Sequence, residues 1–359
     1  MAAKHLLRQN LKTKLNIMYK LLNCSRWLAL LIVVLWTSDC STVVQKRDDP
    51  LIGKIVRAAD QAEISYDQLL ADALKSEVIY LGENHDNAEH HQIQLKIIND
   101  LISKGKRPQI GFEFFSVDQT PYLMSFATAT KSKMPGHGAE VLEKTLRTQL
   151  GWQQRTDQYW KFYFQFMELA KKHELKIFGT DLPAGLVKRL TRSGNSSLTG
   201  AEKTLISPTG FQEDSYRQLM FEKFKASHCG FAREAFQEKM YQTWIARNDR
   251  MAQSIVSMVT DDVTEPIVMI LGGGHTQHNM AVYERVNFLK PGIAQFNLGL
   301  REITIDPLPL SDYIQTTKIG QTVFAPSHPY VWFTQRTSYE DPCRRFKKQL
   351  QRMKDSHAK

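Results

Sequence analysis

The stretch that most constrains this chain is residues 78–101, VIYLGENHDNAEHHQIQLKIINDL. Its apolar beginning is rich in β-forming residues and predicts a buried strand over residues 77–81. Gly82 ends the apolar run, and later apolar residues recur at helical spacing, which predicts a helix with Asp86 or Asn87 as its N-cap. Carboxylates and imidazoles crowd the turn between the two elements. Because ligands in α/β proteins bind where strands end, we expect a site at this turn.

The rest of the chain repeats this alternation of strand and helix. Four further strands are predicted, at residues 109–115, 176–182, 266–271 and 293–298. A helix is predicted over residues 277–286, and residues 321–324 and 330–334 are predicted as terminal edge strands. The pattern is typical of an α/β fold with a mostly parallel sheet flanked by helices.

The domain organisation follows from where strand signals are present. Residues 184–260 carry little strand signal and are predicted to form a smaller helical cap or insertion. The predicted organisation is a targeting segment and linker (1–50), an α/β core (51–183 and 261–340), the helical cap (184–260) and a basic tail (341–359).

The beginning of the chain has the layout of a secretory signal. A basic region precedes an apolar run over residues 27–36, which is short for a membrane-spanning helix. Cys40 follows and predicts acylation of a lipoprotein, although Asp39 departs from the small residue usual before a lipidated cysteine. We therefore expect an exported protein, either an outer-membrane lipoprotein or periplasmic. The alternative is an uncleaved membrane anchor.

The net charge of +10 and the four cysteines exclude some classes of protein. The excess positive charge lies mainly in residues 4–26 and 344–359, so it does not indicate a nucleic-acid surface, and no nucleic-acid partner is expected. No cysteine spacing matches a zinc ribbon or a CxxC redox motif. Cys229 and Cys343 are able to pair after export, but the sequence does not show whether they lie close together.

Ionisable groups follow several of the predicted strands. Glu83, His85, Glu113 and His275 form this set, and parallel strands bring their carboxyl ends to one edge. Such residues suit a divalent metal ion or general acid–base catalysis. Glu113 lies within an apolar strand, where an unpaired carboxylate would be costly. The alternative for all four is a purely structural polar network.

Neighbouring polar residues have two interpretations each. Asp181 either joins the strand-end set or caps the helix that follows it, and Arg247 either pairs with the acidic groups or forms a surface ion pair. His90 and His91 are ranked below Glu83 and His85, since either is able to lie solvated in the first turns of a helix. No GxGxxG, Walker or GxSxG motif accompanies these residues.

Four motifs together resemble a known family. LGENHDNAEHH, GFEFF, RNDRMA and LGGGHTQH occur in this order within residues 77–300 and resemble the ChaN-like haem-binding uptake lipoproteins of the Tiki, TraB and erythromycin-esterase-like superfamily. The resemblance implies an α/β fold with a smaller helical domain, haem as cofactor and, in some members, a homodimer around the porphyrins. It also implies that Glu83, His85, Glu113 and His275 match the superfamily's site positions.

The expected function is haem binding in the cell envelope as part of haem and iron uptake. An outer-membrane haem receptor and, through the N-terminal anchor, the membrane are the further expected partners. Haem iron takes His, Tyr, Met or Cys ligands from an apolar pocket, and Tyr216 and His228 of the helical segment are the first candidates. The alternative is a metal-dependent hydrolase or peptidase that uses the strand-end residues.

Overall fold

The computed structural model describes residues 47–347 except 130–137, 207, 212, 231–232, 263 and 345. Most of the predicted targeting segment, with Cys40, lies outside the described residues, as does most of the basic tail. None of the described helices is long and apolar enough to cross a membrane.

An eight-stranded sheet forms the centre of the described residues, with strand order β2-β1-β10-β7-β3-β6-β4-β5. Neighbouring strands from β10 to β5 run parallel, whereas β1 is antiparallel to β2 and β10. A separate antiparallel hairpin pairs β8 with β9. The strands are β1 (Ile55–Arg57), β2 (Ala62–Ile64), β3 (Val78–Glu83), β4 (Gln109–Ser116), β5 (Ile177–Asp181), β6 (Ile267–Gly272), β7 (Gln295–Glu302), β8 (Thr317–Ile319), β9 (Thr322–Phe324) and β10 (Tyr330–Thr334).

Helices connect the strands and cover the sheet. They are α1 (Tyr66–Ala73), α2 (Ala88–Ser103), α3 (Thr120–Ala127), α4 (Ala139–Gln149), α5 (Asp157–His173), α6 (Ala184–Ser193), α7 (Gly200–Lys203), α8 (Asp214–Ser227), α9 (Glu234–Met258), α10 (Val282–Leu289) and α11 (Leu310–Tyr313). Asn87 caps α2, because its side chain accepts hydrogen bonds from the backbone amides of Glu89 and His90. The predicted α/β class with a mostly parallel sheet is confirmed.

The core lies on both faces of the sheet. Along β3, Ile79 and Leu81 pack into one apolar cluster with α2 and α5, whereas Val78 and Tyr80 pack into another on the opposite face. Successive side chains of a strand point to opposite faces, so a strand covered on both sides is apolar throughout. This double cover explains why the central strands read as continuous apolar runs in the sequence.

Three local predictions differ from the structure. Strand β3 continues to Glu83, two residues beyond the predicted end, because Gly82 and Glu83 still pair with β6. Residues 330–334 do not form an edge strand, since β10 lies between β7 and β1, and residues 322–324 belong to the separate hairpin. The helix predicted from residue 277 begins only at Val282, because His278 and Ala281 adopt positive φ angles that interrupt it.

The segment predicted as a helical cap contains only helices and loops among its described residues, and its domain boundaries stay a prediction. Its long helix α9 also contributes Met251 and Ile255 to the core of the sheet. A disulfide joins Cys229, which follows α8, to Cys343, with the two Cα atoms 5.6 Å apart.

Gly82 allows β3 to approach the turn after β6, which gives a test of the strand register. A Cβ atom at Gly82 would lie 2.9 Å from the Cα of Gly273 and 3.3 Å from the carbonyl oxygen of Leu298. These are backbone atoms, so we expect Gly82→Ala to lower the free energy of unfolding in urea by roughly 2 kcal/mol. Gly185→Ala is the control, because no atom of the described residues lies within 4 Å of its Cβ position. Equal unfolding midpoints for the two variants would contradict this packing.

Candidate functional site

The carboxyl ends of the parallel strands bring the predicted strand-end residues to one edge of the sheet. Glu83 ends β3, Asp181 ends β5, and Glu113 lies in β4. His275 lies in the 3-10 turn that follows β6, and His85 follows β3. All except His85 are buried. They form one group of contacts around Glu83 and one around Glu113, which interact through the charges of His85 and Glu113, and together they are here called the strand-end cluster.

Glu83 lies at one side of the strand-end cluster. Its Oε1 accepts hydrogen bonds from the Tyr163 hydroxyl at 2.6 Å and from Nδ1 of His85 at 3.2 Å. Its Oε2 lies 3.2 Å from Nδ1 of His91, although the two atoms lack hydrogen-bond geometry. Three side chains from α5, α2 and the β3–α2 turn thus surround this one buried carboxylate.

Glu113 and Asp181 share a cation. The guanidinium of Arg247, on α9, donates to Oε1 of Glu113 at 2.8 Å and to Oδ2 of Asp181 at 2.7 Å. Oε2 of Glu113 accepts a further hydrogen bond from the Gly272 amide at 2.6 Å. Asp181 does not cap α6, since its Oδ1 accepts from the adjacent Leu182 amide. Arg247 is therefore part of the cluster and not of a surface ion pair.

His275 connects the cluster to α9. Its Nε2 lies 3.0 Å from Oε1 of Glu113, and its Nδ1 lies 2.7 Å from Oδ1 of Asn248. The ring stacks on Trp244 with the centroids 4.1 Å apart. Both ring nitrogens thus face oxygen atoms of the protein, and the ring plane is fixed by an aromatic neighbour.

The charges of the cluster shift its acid–base equilibria. Burial would raise the pKa of Glu113, but His275, Arg247 and His85 outweigh it and hold that pKa well below its usual value. Burial raises the pKa of Asp181 even though Arg247 opposes the shift. Burial would lower the pKa of His85, but Glu83 and Glu113 raise it above its usual value. The side chain of His85 is 41% exposed, which is more than that of Arg247 at 21%.

Most of the side chains that could bind a metal ion in the strand-end cluster are paired with other groups of the protein. Among the described residues no group of three or more His, Cys, Asp or Glu side chains is arranged to hold a metal ion. The positive charge that a metal ion would supply comes from Arg247, which contacts both Glu113 and Asp181. The predicted divalent metal therefore gains no support from this geometry.

A cavity of about 590 Å³ opens beside the cluster. Arg247, Glu113 and Asp181 contribute to its wall together with Trp152 and Lys188. The cluster therefore adjoins space in which a small molecule fits.

His90 and His91 have different surroundings. Nδ1 of His90 accepts from the Asn84 amide at 2.8 Å and its Nε2 lies 2.8 Å from the Thr334 hydroxyl, so it fixes the turn to β10. Burial, followed by His91, lowers the pKa of His90 to about 3. His91 instead contacts Glu83 and stacks on Phe162 at 4.7 Å.

The sequence interpretation missed some members of the cluster. The sequence ranks His91 below Glu83 and His85, and it does not single out Tyr163 or Asn248. The signal for Tyr163 is weak, because residues 152–166 contain seven aromatic residues with two tyrosine hydroxyls, and the sequence does not show which ring faces a carboxylate.

The two predicted haem ligands lie in different settings. Tyr216 is 4% exposed in the apolar cluster of α8 and α9, and its hydroxyl accepts a hydrogen bond from Trp244 at 3.0 Å. His228 follows α8 and is half-buried, with Nδ1 2.8 Å from the Phe224 carbonyl oxygen. Its Nε2 has no hydrogen-bond partner within the described part of the chain. Neither residue contacts the strand-end cluster directly, and both stay predicted ligands.

Comparison with known proteins identifies the family. A family model described as haem-binding uptake, Tiki superfamily, ChaN, matches residues 69–286, which is more than half of the chain. The chain belongs to this family. No curated protein matches the chain.

Solved structures resemble the chain to different degrees. The structure of ChaN of Campylobacter jejuni, described with cofacial haem binding, is 19% identical with a TM-score of 0.57, and the match covers 80% of this chain and 98% of that chain. A mutant erythromycin esterase in its open conformation is 12% identical, with a TM-score of 0.38 over 73% of this chain and 78% of that one. A succinoglycan biosynthesis protein is 12% identical, with a TM-score of 0.40 over 76% of this chain and 90% of that one. The ChaN match shows the same fold.

The two histidines with opposite pKa shifts give a pH test. We expect His85 to titrate above about 6.5 by NMR and His90 to stay neutral from about pH 5 to 8. His85 therefore stabilises the fold fully below its unfolded pKa, and this contribution is lost as the pH rises through its higher folded pKa. His90 acts in the opposite direction, because its lowered pKa removes stability as the pH falls below about 6.5. Titration of His85 below 6.5 would contradict the charge assignment of the cluster.

Proposed function

We propose that this protein binds haem and takes part in haem uptake. The observation that carries the proposal is membership of the haem-binding uptake family over residues 69–286. The solved ChaN of Campylobacter jejuni, which has the same fold, is described with cofacial haem. The residues of this chain must therefore offer an iron ligand and a surface for an amphipathic dianion.

His228 has the chemistry of a haem ligand. Its Nδ1 lies 2.8 Å from a backbone carbonyl oxygen, which directs the proton to Nδ1 and leaves the lone pair of Nε2 free. Ligand histidines usually donate their other ring N–H in this way, since the hydrogen bond fixes the ring orientation. The disulfide at the next residue, Cys229, ties this end of α8 to another part of the chain.

A basic groove lies next to His228. Phe236, whose ring centroid is 5.9 Å from that of His228, is 41% exposed and lines a groove of about 720 Å³. Four cations line the same groove: Lys188, Arg192, Arg233 and Lys239. Haem supplies an iron centre with open axial positions, an apolar ring and two carboxylates. The groove offers an aromatic surface to the ring and positive charge to the carboxylates.

The location and assembly of the protein belong to the same proposal. We infer an exported protein of the cell envelope, anchored through Cys40 or free in the periplasm, that acts as a homodimer with an outer-membrane haem receptor as partner. The Cys229–Cys343 disulfide supports export, because such bonds persist in oxidising compartments. The alternative metal-dependent hydrolase gains no support from the paired groups of the strand-end cluster.

Titration with hemin tests haem binding. We expect a shifted Soret band and saturation at a fixed stoichiometry for the wild type. His228→Ala should weaken hemin binding at least about tenfold, since it removes the axial nitrogen.

Tyr216→Phe is the matched comparison, because it removes only a hydroxyl that is bonded to Trp244. Its hemin affinity should stay within about threefold of the wild type. A wild type without a Soret shift would overturn the proposal. Loss of binding in Tyr216→Phe alone would transfer the ligand role to Tyr216.

A further inference from the structure

A second group of polar residues lies on the other side of the glycine turn from the strand-end cluster. His328 packs against the backbone of Gly273 and Gly299, where a Cβ atom at Gly299 would lie 2.4 Å from its Nδ1. Its Nε2 lies 3.1 Å from the carbonyl oxygen of Gly273. The group therefore adjoins the carboxyl ends of β6 and β7, the edge at which open α/β sheets bind ligands.

Two cations in this group lack a counter-charge. Lys223, on α8, bonds to the Gln277 side chain and to Nε2 of His278 at 3.3 Å. The side chain of Arg301, in β7, makes no hydrogen bond within the described residues, and its guanidinium lies 5.5 Å from the centroid of the Tyr313 ring. No carboxylate of the described residues lies within salt-bridge distance of either cation. Burial, and after it the charge of Arg301, lowers the pKa of Lys223 to about 8.

Two other cations that are buried or partly buried in the protein are paired. Arg247 contacts Glu113 and Asp181, and Arg285 contacts Asp249 and Glu284. Desolvating a cation without a partner is unfavourable, so the fold normally supplies a carboxylate. Lys223 and Arg301 depart from that pattern, and the charge of Arg301 acts on Lys223 and on its neighbours His278 and His328.

Buried polar atoms without partners surround the same place. The hydroxyl of Ser327, a residue that is 9% exposed, has no hydrogen-bond partner within the described residues. Nδ1 of His328 also has none there, but it is an acceptor that faces Gly299, because Nε2 donates to the Gly273 carbonyl oxygen. The Ser327 carbonyl oxygen accepts from the His278 amide at 2.7 Å, so Ser327 lies beside Lys223's partner. Buried polar groups are normally satisfied, and an unsatisfied one indicates a missing water, ion or ligand.

The backbone here is strained as well. His278, Asn279 and Ala281 have φ angles of 61°, 54° and 56°, in the region that favours glycine. Residues held in such conformations concentrate at functional sites, where the surrounding structure enforces them. The His278 ring is oriented by its Nδ1, which lies 2.6 Å from the Ala325 carbonyl oxygen.

We propose that Lys223, Arg301 and Ser327 form a binding site for an oxyanion, either a phosphate or a carboxylate group. Lysine uses two of its three donors here, arginine retains all five, and the serine hydroxyl adds one more. His278 and His328, which burial keeps neutral, border the site and add no charge of their own. The oxyanion is either a free ion or a carboxylate of bound haem.

Thermal unfolding with inorganic phosphate tests the site. We expect phosphate to raise the Tm of the full chain on the order of 3 °C relative to chloride at equal ionic strength. Lys223→Gln and Arg301→Gln should each remove most of this rise. Lys225→Gln, an exposed position on the same helix, is the charge-matched control and should retain it.

Absence of a phosphate effect on the wild type, or an equal effect in all three variants, would overturn the site.

Titration of hemin and of hemin dimethyl ester, with and without phosphate, distinguishes a free ion from a haem carboxylate as the bound anion. If haem carboxylates occupy the site, phosphate weakens binding of hemin alone and Lys223→Gln lowers hemin affinity. If a free ion occupies it, phosphate leaves both affinities unchanged but still raises the Tm. The site does not depend on haem binding, since the thermal measurement uses no haem.

Discussion

The guanidinium of Arg247 holds the functional edge of this protein together. It joins Glu113 in β4 to Asp181 in β5 and so attaches the long helix α9 to the carboxyl ends of two strands. A buried carboxylate that loses its partner destabilises a protein by about 3–5 kcal/mol, so the cluster depends on this cation. Glu113 in turn orders the Gly272 amide and His275, which places the glycine turn. The positions of β4, β5 and the glycine turn therefore all depend on the charge of Arg247.

Polar groups that are paired within the protein and polar groups that lack a partner lie in different parts of the described structure. Most donors and acceptors of the strand-end cluster are used within it, with Oε2 of Glu83 and Nδ1 of His91 as exceptions, and His85 is more exposed than Arg247. Further groups without a partner among the described residues lie elsewhere: Nε2 of His228 beside the basic groove, and the cations Lys223 and Arg301 beyond the glycine turn. Free ligand atoms and uncompensated positive charge suit an anionic cofactor better than a cationic metal ion. This division supports haem binding in preference to metal-dependent hydrolysis.

Strand positions could be predicted from the sequence, whereas contacts that depend on helix orientation could not. Parallel strands share an edge, so Glu83, Glu113 and His275 could be brought together from their positions alone. The sequence does not single out Tyr163 and ranks His91 low, because the rotation of α5 and α2 about their axes determines which side chains meet Glu83. The late start of α10 was also missed, since positive φ angles at His278 and Ala281 carry no glycine signal. The sequence suggests an edge position for β10, because chain order does not determine which strands are neighbours in a sheet.

A double-mutant cycle on Arg247 and Glu113 tests the central interaction most directly. Urea unfolding of Arg247→Met, Glu113→Gln and the double variant gives the interaction energy. The buried pair should show coupling of about 2 kcal/mol, whereas the more exposed pair of Arg189 and Glu202 should show at most about 1 kcal/mol. If the effects of Arg247→Met and Glu113→Gln on the free energy of unfolding add up to that of the double variant within about 0.5 kcal/mol, the account is contradicted.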